Sequence, residues 1–155
     1  MSEIKEVVER NDNAVAKIRF LAAVVALFGV ADAVYLTVKH YTGEKVPCSV
    51  LEGCEQVLTS AYAEIAGVPL AAFGALAYFT AFSLAILAAF GNRSMWKIFG
   101  VQVALMAIFT AWLVYLQAFV IEAFCQFCLV SAGITFTLLA IFIVSNLLSK
   151  TRRNL

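Results

Sequence analysis

Four cysteines stand out, in two close pairs: Cys48 with Cys54, and Cys125 with Cys128. The second pair is a C-x-x-C, Cys125-Gln126-Phe127-Cys128, at the mouth of the long apolar segment Phe124 to Leu148. The first pair lies in the sizeable polar loop of the chain. C-x-x-C pairs often carry a lowered thiol pKa, and the thiolate is the reactive form. A helix start would add to this, because unpaired backbone N–H groups stabilise a nearby anion. The residue types therefore point to thiol–disulfide chemistry. Two other readings use the same residues. Four thiolates can hold zinc, although C-x5-C is a loose half-site. The four can also form inert staples.

The elements that must position these sulfurs are membrane spans. The chain has 155 residues, of which 63% are hydrophobic and 14% charged. A globular domain carries roughly 25% charged residues. The net charge of +1 and the absence of basic blocks give no support to nucleic-acid binding. Four apolar segments are expected to span, at about 18–38, 69–90, 98–121 and 124–148. Each reaches the roughly 20 residues needed to cross a bilayer. The first is too long for a signal peptide, and acids balance bases ahead of it. The fold expected is an all-α integral membrane protein: a four-transmembrane-helix bundle forming a single domain over 1–155.

Charge sets the orientation. Lys5, Arg10, Lys17, Arg19, Arg93, Lys97, Lys150, Arg152 and Arg153 fall on one side, and Lys39 and Lys45 on the other. The positive-inside rule makes both termini cytoplasmic. Both cysteine pairs then share the extracytoplasmic face, where disulfides persist. In the outer loop, about 39–68, Val57, Leu58, Ala61, Tyr62 and Ile65 recur at helical spacing. This predicts a short amphipathic helix lying on the bundle end, with Gly67 as its stop.

Cys125 and Cys128 share a helix face, because positions three apart are neighbours. Phe124 and Phe127 make that face apolar. A thiol pair at the edge of hydrocarbon suits a lipid-soluble two-electron acceptor, and a quinone is the obvious candidate. Cys48, in water, suits a protein dithiol. Electrons would pass from that partner through the loop pair to the membrane pair and on to quinone, each handover by a mixed disulfide. Asp32, an acid inside the first span, is a candidate proton route. Gly29, Gly74, Gly100 and Gly133 are expected at close helix contacts, and Trp96, Tyr35 and Tyr41 at the membrane interfaces.

The chain resembles the prokaryotic vitamin K epoxide reductase homologues. The resemblance rests on Cys48-x5-Cys54, Ser60, Gly67-Val68-Pro69-Leu70 with Gly74, and Cys125-x-x-Cys128 opening the last span, in that order. It implies a thiol:quinone oxidoreductase that oxidises a thioredoxin-like partner and passes electrons to a quinone of the ubiquinone or menaquinone type. Cys128 would be quinone-proximal, Cys125 would exchange with the loop through Cys54, and Cys48 would meet the partner. Ser60 would match a family serine near the active site and either hydrogen-bond a quinone oxygen or steady the lid; Phe124, Phe127 and Asp32 are further candidate contacts, and no metal is expected. Leu70 and Ala132 stand where vertebrate members place an asparagine and a tyrosine, which favours quinone reduction over epoxide reduction. The chain ends at Leu155 with no thioredoxin-like domain, so the partner is expected to be separate. The alternative is a small tetraspan transporter or structural membrane protein with stapling disulfides.

Overall fold

A computed structural model describes residues 2–48 and 53–153. The chain's end at Leu155 lies outside the described residues. The described residues are all-α apart from one tiny hairpin. Its elements are α1 (Ser2–Thr42), α2 (Cys54–Leu58), β1 (Glu64–Ile65), β2 (Val68–Pro69), α3 (Leu70–Ala89), α4 (Arg93–Phe119) and α5 (Gln126–Arg153). Among the described residues, four helices are long and apolar enough to cross a membrane: Asn13–Thr42, Leu70–Ala89, Arg93–Phe119 and Gln126–Lys150. This is a multi-pass membrane protein.

Helix boundaries follow local chemistry. α1 runs past its expected end to Thr42, where Gly43 at φ 65° turns the chain. Glycine carries no Cβ penalty in that left-handed region. α3 stops before Gly91 at φ 101°. Asn92 then starts α4, its side chain accepting the N–H groups of Ser94 and Met95 at 3.1 and 3.3 Å. Those donors have no intrahelical partner, and an N-cap asparagine supplies one.

The helix in the first loop is shorter than its periodicity suggests. It ends at Leu58, and the pattern through Ala61, Tyr62 and Ile65 falls on turns and a hairpin. Ile65 pairs with Val68, and the two residues between, Ala66 and Gly67, have φ of 53° and 79°. Two successive positive φ values make the tight turn whose twist suits a hairpin. Gly67 thus serves a strand reversal rather than a helix stop.

The four long helices form a closed ring in which α1 packs on α3, α3 on α4, α4 on α5 and α5 on α1. Small residues allow the closest contact. Ala22, Ala23, Ala26 and Ala33 of α1 and Ala81, Ala85 and Ala88 of α3 are buried at the centre. Without a hydrophobic drive between helices in lipid, such close van der Waals packing holds them together. Gly29 lies against the Tyr78 ring so closely that a Cβ would sit 2.5 Å from it. Gly100 meets the Phe142 ring in the same way. Gly74 makes only an ordinary contact and Gly133 faces open space, so these two do not serve close packing. Trp96 is likewise not an interfacial anchor. It is buried, stacked on Phe99 with centroids 4.7 Å apart, and the Arg19 guanidinium lies over it. Arg19 also donates to the Ala88 carbonyl at 2.8 Å, satisfying the end of α3. Phe28, Leu76, Val101 and Ile108 project outward, as lipid-facing side chains do.

Gly29→Val should destabilise the bundle by about 1–3 kcal/mol, because the new methyls must displace the Tyr78 ring from a packed site. Thermal unfolding in detergent measures this. An unchanged midpoint would mean that the α1–α3 contact is loose.

Candidate active site

The loop after α1 and the turn between α4 and α5 lie at the same end of the bundle, and they bring the cysteine pairs together. Cys48 and Cys54 form a disulfide with Cα atoms 6.3 Å apart, while Cys125 and Cys128 are free thiols. Cys54, Val57, Ala123 and Cys125 form one buried cluster, with Cys48, Phe127 and Cys128 packed around it.

Three contacts hold the loop there. Gly53 lies directly on the α4–α5 turn, and a Cβ would sit 2.9 Å from both the nitrogen and the carbonyl oxygen of Phe124. Any larger residue would lift Cys54 away. Gln56 donates to the Ile121 carbonyl at 3.2 Å. The Gln126 N–H donates to the Cys54 sulfur at 3.4 Å. On the far flank, His40 Nε2 lies 3.1 Å from Glu64, tying the hairpin to α1.

The turn itself is fixed by α4. Glu122 adopts φ 54°, and Gln117 takes two N–H groups beyond it. The Gln117 carbonyl accepts the N–H of Ala123 at 3.1 Å, and its side-chain Oε1 accepts that of Cys125 at 3.0 Å. Leu129 N–H then bonds to the Cys125 carbonyl, so Cys125 occupies the capping position of α5. Its sulfur accepts the Cys128 N–H at 3.4 Å. The first turn of a helix offers exactly such orphan donors and a partial positive charge to Cys54 and Cys125 alike.

These contacts lower the Cys125 thiol to about 7. The largest cause is the hydrogen bond between its sulfur and the Cys128 thiol. The backbone N–H groups of Cys128 and Phe127 add to it, and burial opposes them.

A cavity of about 240 Å³ lies below the cluster. Its wall is mostly apolar and is drawn from all four long helices and the loop. Cys128 lies on this wall and Cys125 does not. The C-x-x-C therefore connects the loop disulfide on one side with the cavity on the other. Asp32 and Ser60 line the cavity, as do Leu70 and Ala132. The Asp32 Oδ2 atom is buried without a hydrogen-bond partner among the described residues. Ser60 donates its hydroxyl hydrogen to the Val57 carbonyl at 2.7 Å, which closes the end of α2. Phe124 and Phe127 are not on the wall. Phe124 is half exposed beside Gly53, and Phe127 packs on Tyr35, ring centroids 5.3 Å apart, against the cysteine cluster. The turn before α5 points them sideways rather than down.

This constellation has a match among known proteins. The chain fits the model of the Vitamin K epoxide reductase family over residues 20–143. The chain belongs to that family. It is also similar to the thiol-disulfide oxidoreductase LTO1 of Arabidopsis thaliana, 31% identical over 116 residues. That match covers 69% of this chain and 31% of the relative, so the chain corresponds to about a third of the plant protein. In this family member, sequence reasoning located the cysteines but missed Gly53 and Gln117. Glycine before a loop cysteine reads as a breaker, and a lone glutamine in an apolar span carries no motif. A polar residue eight positions before the C-x-x-C, on the helix leading into it, is the signal that was available.

In the reduced protein, the ultraviolet thiolate signal that Cys125→Ser removes should titrate with a midpoint near 7. The pKa is lowered, so thiolate forms as pH rises through that value, whereas an ordinary cysteine needs about 8.5. Cys128→Ala deletes the largest cause and should raise the midpoint. A midpoint unmoved by Cys128→Ala would assign the effect to the helix start alone.

Proposed function

We propose that this protein is a membrane thiol:quinone oxidoreductase that oxidises the dithiol of a thioredoxin-like partner. The observation that carries this reading is the position of Cys128 on an apolar cavity while Cys125 packs against the loop disulfide. A staple for a transporter would not need a free dithiol buried between a disulfide and a cavity. The pairing of Cys48 with Cys54 likewise removes two ligands from any four-thiolate zinc site.

Exposure orders the steps. Cys48 is half-buried and Cys54 is 1% exposed, so a partner thiolate reaches the Cys48 sulfur. The Cys48–Cys54 bond breaks, and Cys54 leaves as a thiolate beside the Gln126 N–H, which stabilises it. The partner's second thiol displaces Cys48, and the partner departs as a disulfide. With the membrane pair oxidised, the Cys54 thiolate attacks Cys125, and Cys128 leaves. Cys48 then attacks Cys54, restoring the loop disulfide and releasing Cys125. The result is a loop disulfide beside a free Cys125/Cys128 dithiol, which is the state of this structure.

The cavity suits the second half of the reaction. Its volume and apolar wall accommodate a substituted ring, with any isoprenoid tail in lipid. A bound quinone of the ubiquinone or menaquinone type supplies an acceptor for two electrons and two protons. Cys125 and Cys128 give up two electrons and form their disulfide. One of the two protons comes from the Cys128 thiol, and Asp32 supplies the other and regains it from the cysteine end of the bundle. Dithiol and quinone thus become disulfide and quinol, with nothing left over. Leu70 and Ala132 bring no hydrogen-bonding side chain to the wall, and quinone, rather than epoxide, is the proposed substrate.

Purified protein with a reduced thioredoxin-like protein and a short-chain quinone tests the whole. Quinol should form in step with partner disulfide. Cys48→Ala should abolish partner oxidation, and Cys128→Ala should stop after one partner turnover. Asp32→Asn should slow quinone reduction and leave partner exchange unchanged. Partner oxidation without quinol formation would sink the quinone assignment.

The nine-to-two distribution of basic residues supports an orientation with both termini in the cytoplasm and both cysteine pairs outside it. Under mild reduction, a membrane-impermeant maleimide should label Cys48 on intact cells. Labelling only after lysis would invert the orientation.

A further inference from the structure

Gln117 stands where the thiol pair meets the cavity. It is 4% exposed and lies on the same wall as Cys128. Its Oε1 accepts the Cys125 N–H at 3.0 Å. That bond decides which end of the amide is which, because a backbone N–H needs an acceptor and the NH2 group is donor only. The oxygen is committed to the backbone, and two N–H hydrogens remain. Among the described residues, no hydrogen bond from the Gln117 amide nitrogen is formed. Nor is that nitrogen one of the buried polar atoms sealed off without a partner, which are Arg19 Nε, Asp32 Oδ2 and Trp96 Nε1. It retains open space, and the space that Gln117 borders is the cavity.

Four other hydroxyls on the wall are already committed, and Tyr62 belongs to the exposed loop rather than to a helix beside Cys128. Ser60 donates to Val57. Tyr78 Oη lies 2.7 Å from the Ser131 carbonyl, 2.8 Å from Ser131 Oγ and 2.7 Å from Thr135 Oγ1. With Tyr78 donating to the carbonyl and accepting from both hydroxyls, all three hydrogens of that group are used. Thr110 is on the wall but lies two turns back along α4 from Gln117, about 10 Å from it along the axis.

We propose that the Gln117 NH2 group donates a hydrogen bond to a carbonyl oxygen of the acceptor bound beside Cys128. This rests on the quinone reading above and names the residue that recognises the ring. The bond strengthens as electron density arrives on that oxygen, so it favours the reduced state as well as binding. The same side chain fixes Cys125 through its oxygen and the acceptor through its nitrogen. One residue therefore sets the spacing between electron donor and electron acceptor.

The test uses fully oxidised protein, which has no dithiol and cannot turn over, with a carbonyl-labelled short-chain quinone. In the wild type, isotope-edited infrared spectra should show one quinone carbonyl stretch shifted to lower frequency than in an apolar solvent. Gln117→Met keeps length and bulk but loses the amide. It should return that band to its free position and weaken quinone binding roughly tenfold, the size of one lost hydrogen bond. Two unshifted bands in the wild type would overturn the proposal, whether or not the variant folds. So would a Gln117→Met protein that keeps the shifted band and binds within twofold of the wild type. A wild type that neither binds nor reduces quinone would defeat the functional reading itself, whereas one that does both with unshifted bands would defeat only the role of Gln117.

Discussion

The arrangement depends on the first turn of α5. A helix start has backbone N–H groups with no partner in the helix, and here two of them face sulfur. Gln126 donates to Cys54 and Cys128 to Cys125. A single helix terminus thus stabilises negative charge on one cysteine of each pair. In the proposed exchange a thiolate passes from one sulfur to the next, and this terminus would stabilise it at Cys54 and at Cys125. The rest of the cysteine end exists to bring that terminus and the loop together. Gly53 removes the side chain that would hold them apart, Gln56 ties α2 to the turn, and Gln117 fixes the turn from below.

The bundle supplies a second requirement, which is space. At one end α1 and α3 close on each other through buried alanines and Gly29. Toward the cysteine end the four helices line a cavity of about 240 Å³. The wide region is kept open by larger groups at its base. Tyr78 crosses between α3 and α5 and bonds Ser131 and Thr135. Buried polar groups with every hydrogen placed make a rigid floor, because any rearrangement would leave one unsatisfied in a medium without water. Cys128 borders this cavity, one helical turn from Cys125 in the sulfur cluster. The three-residue spacing of the C-x-x-C is what lets one pair belong to both.

Family membership and geometry support the same chemistry by separate routes. The family match covers residues 20–143 and includes all four cysteines and the cavity-lining helices. The geometry adds that Leu70 and Ala132 bring no hydrogen-bonding side chain to the cavity wall, while α4 carries a buried amide at the junction of thiol and cavity.

By itself the sequence determined the four spans, the pairing of the cysteines and the helix that opens at the C-x-x-C. These are local or one-dimensional properties. Twenty apolar residues have few options in a bilayer except to cross it as a helix, since every backbone polar group must be satisfied within the segment. The limits of the spans shifted by a few residues because capping by Gly43, Gly91 and Asn92 sets helix ends, and hydropathy does not. Contacts between distant segments came from the folded arrangement. Gln117 meets Cys125 because of a left-handed residue at Glu122, and Gly53 matters because the Phe124 backbone lies on it. The same turn sends Phe124 and Phe127 away from the cavity, and a guanidinium stacked from α1 holds Trp96 inside. Periodicity describes which way a side chain leaves its own helix. It does not tell which of the neighbouring surfaces that side chain will find there.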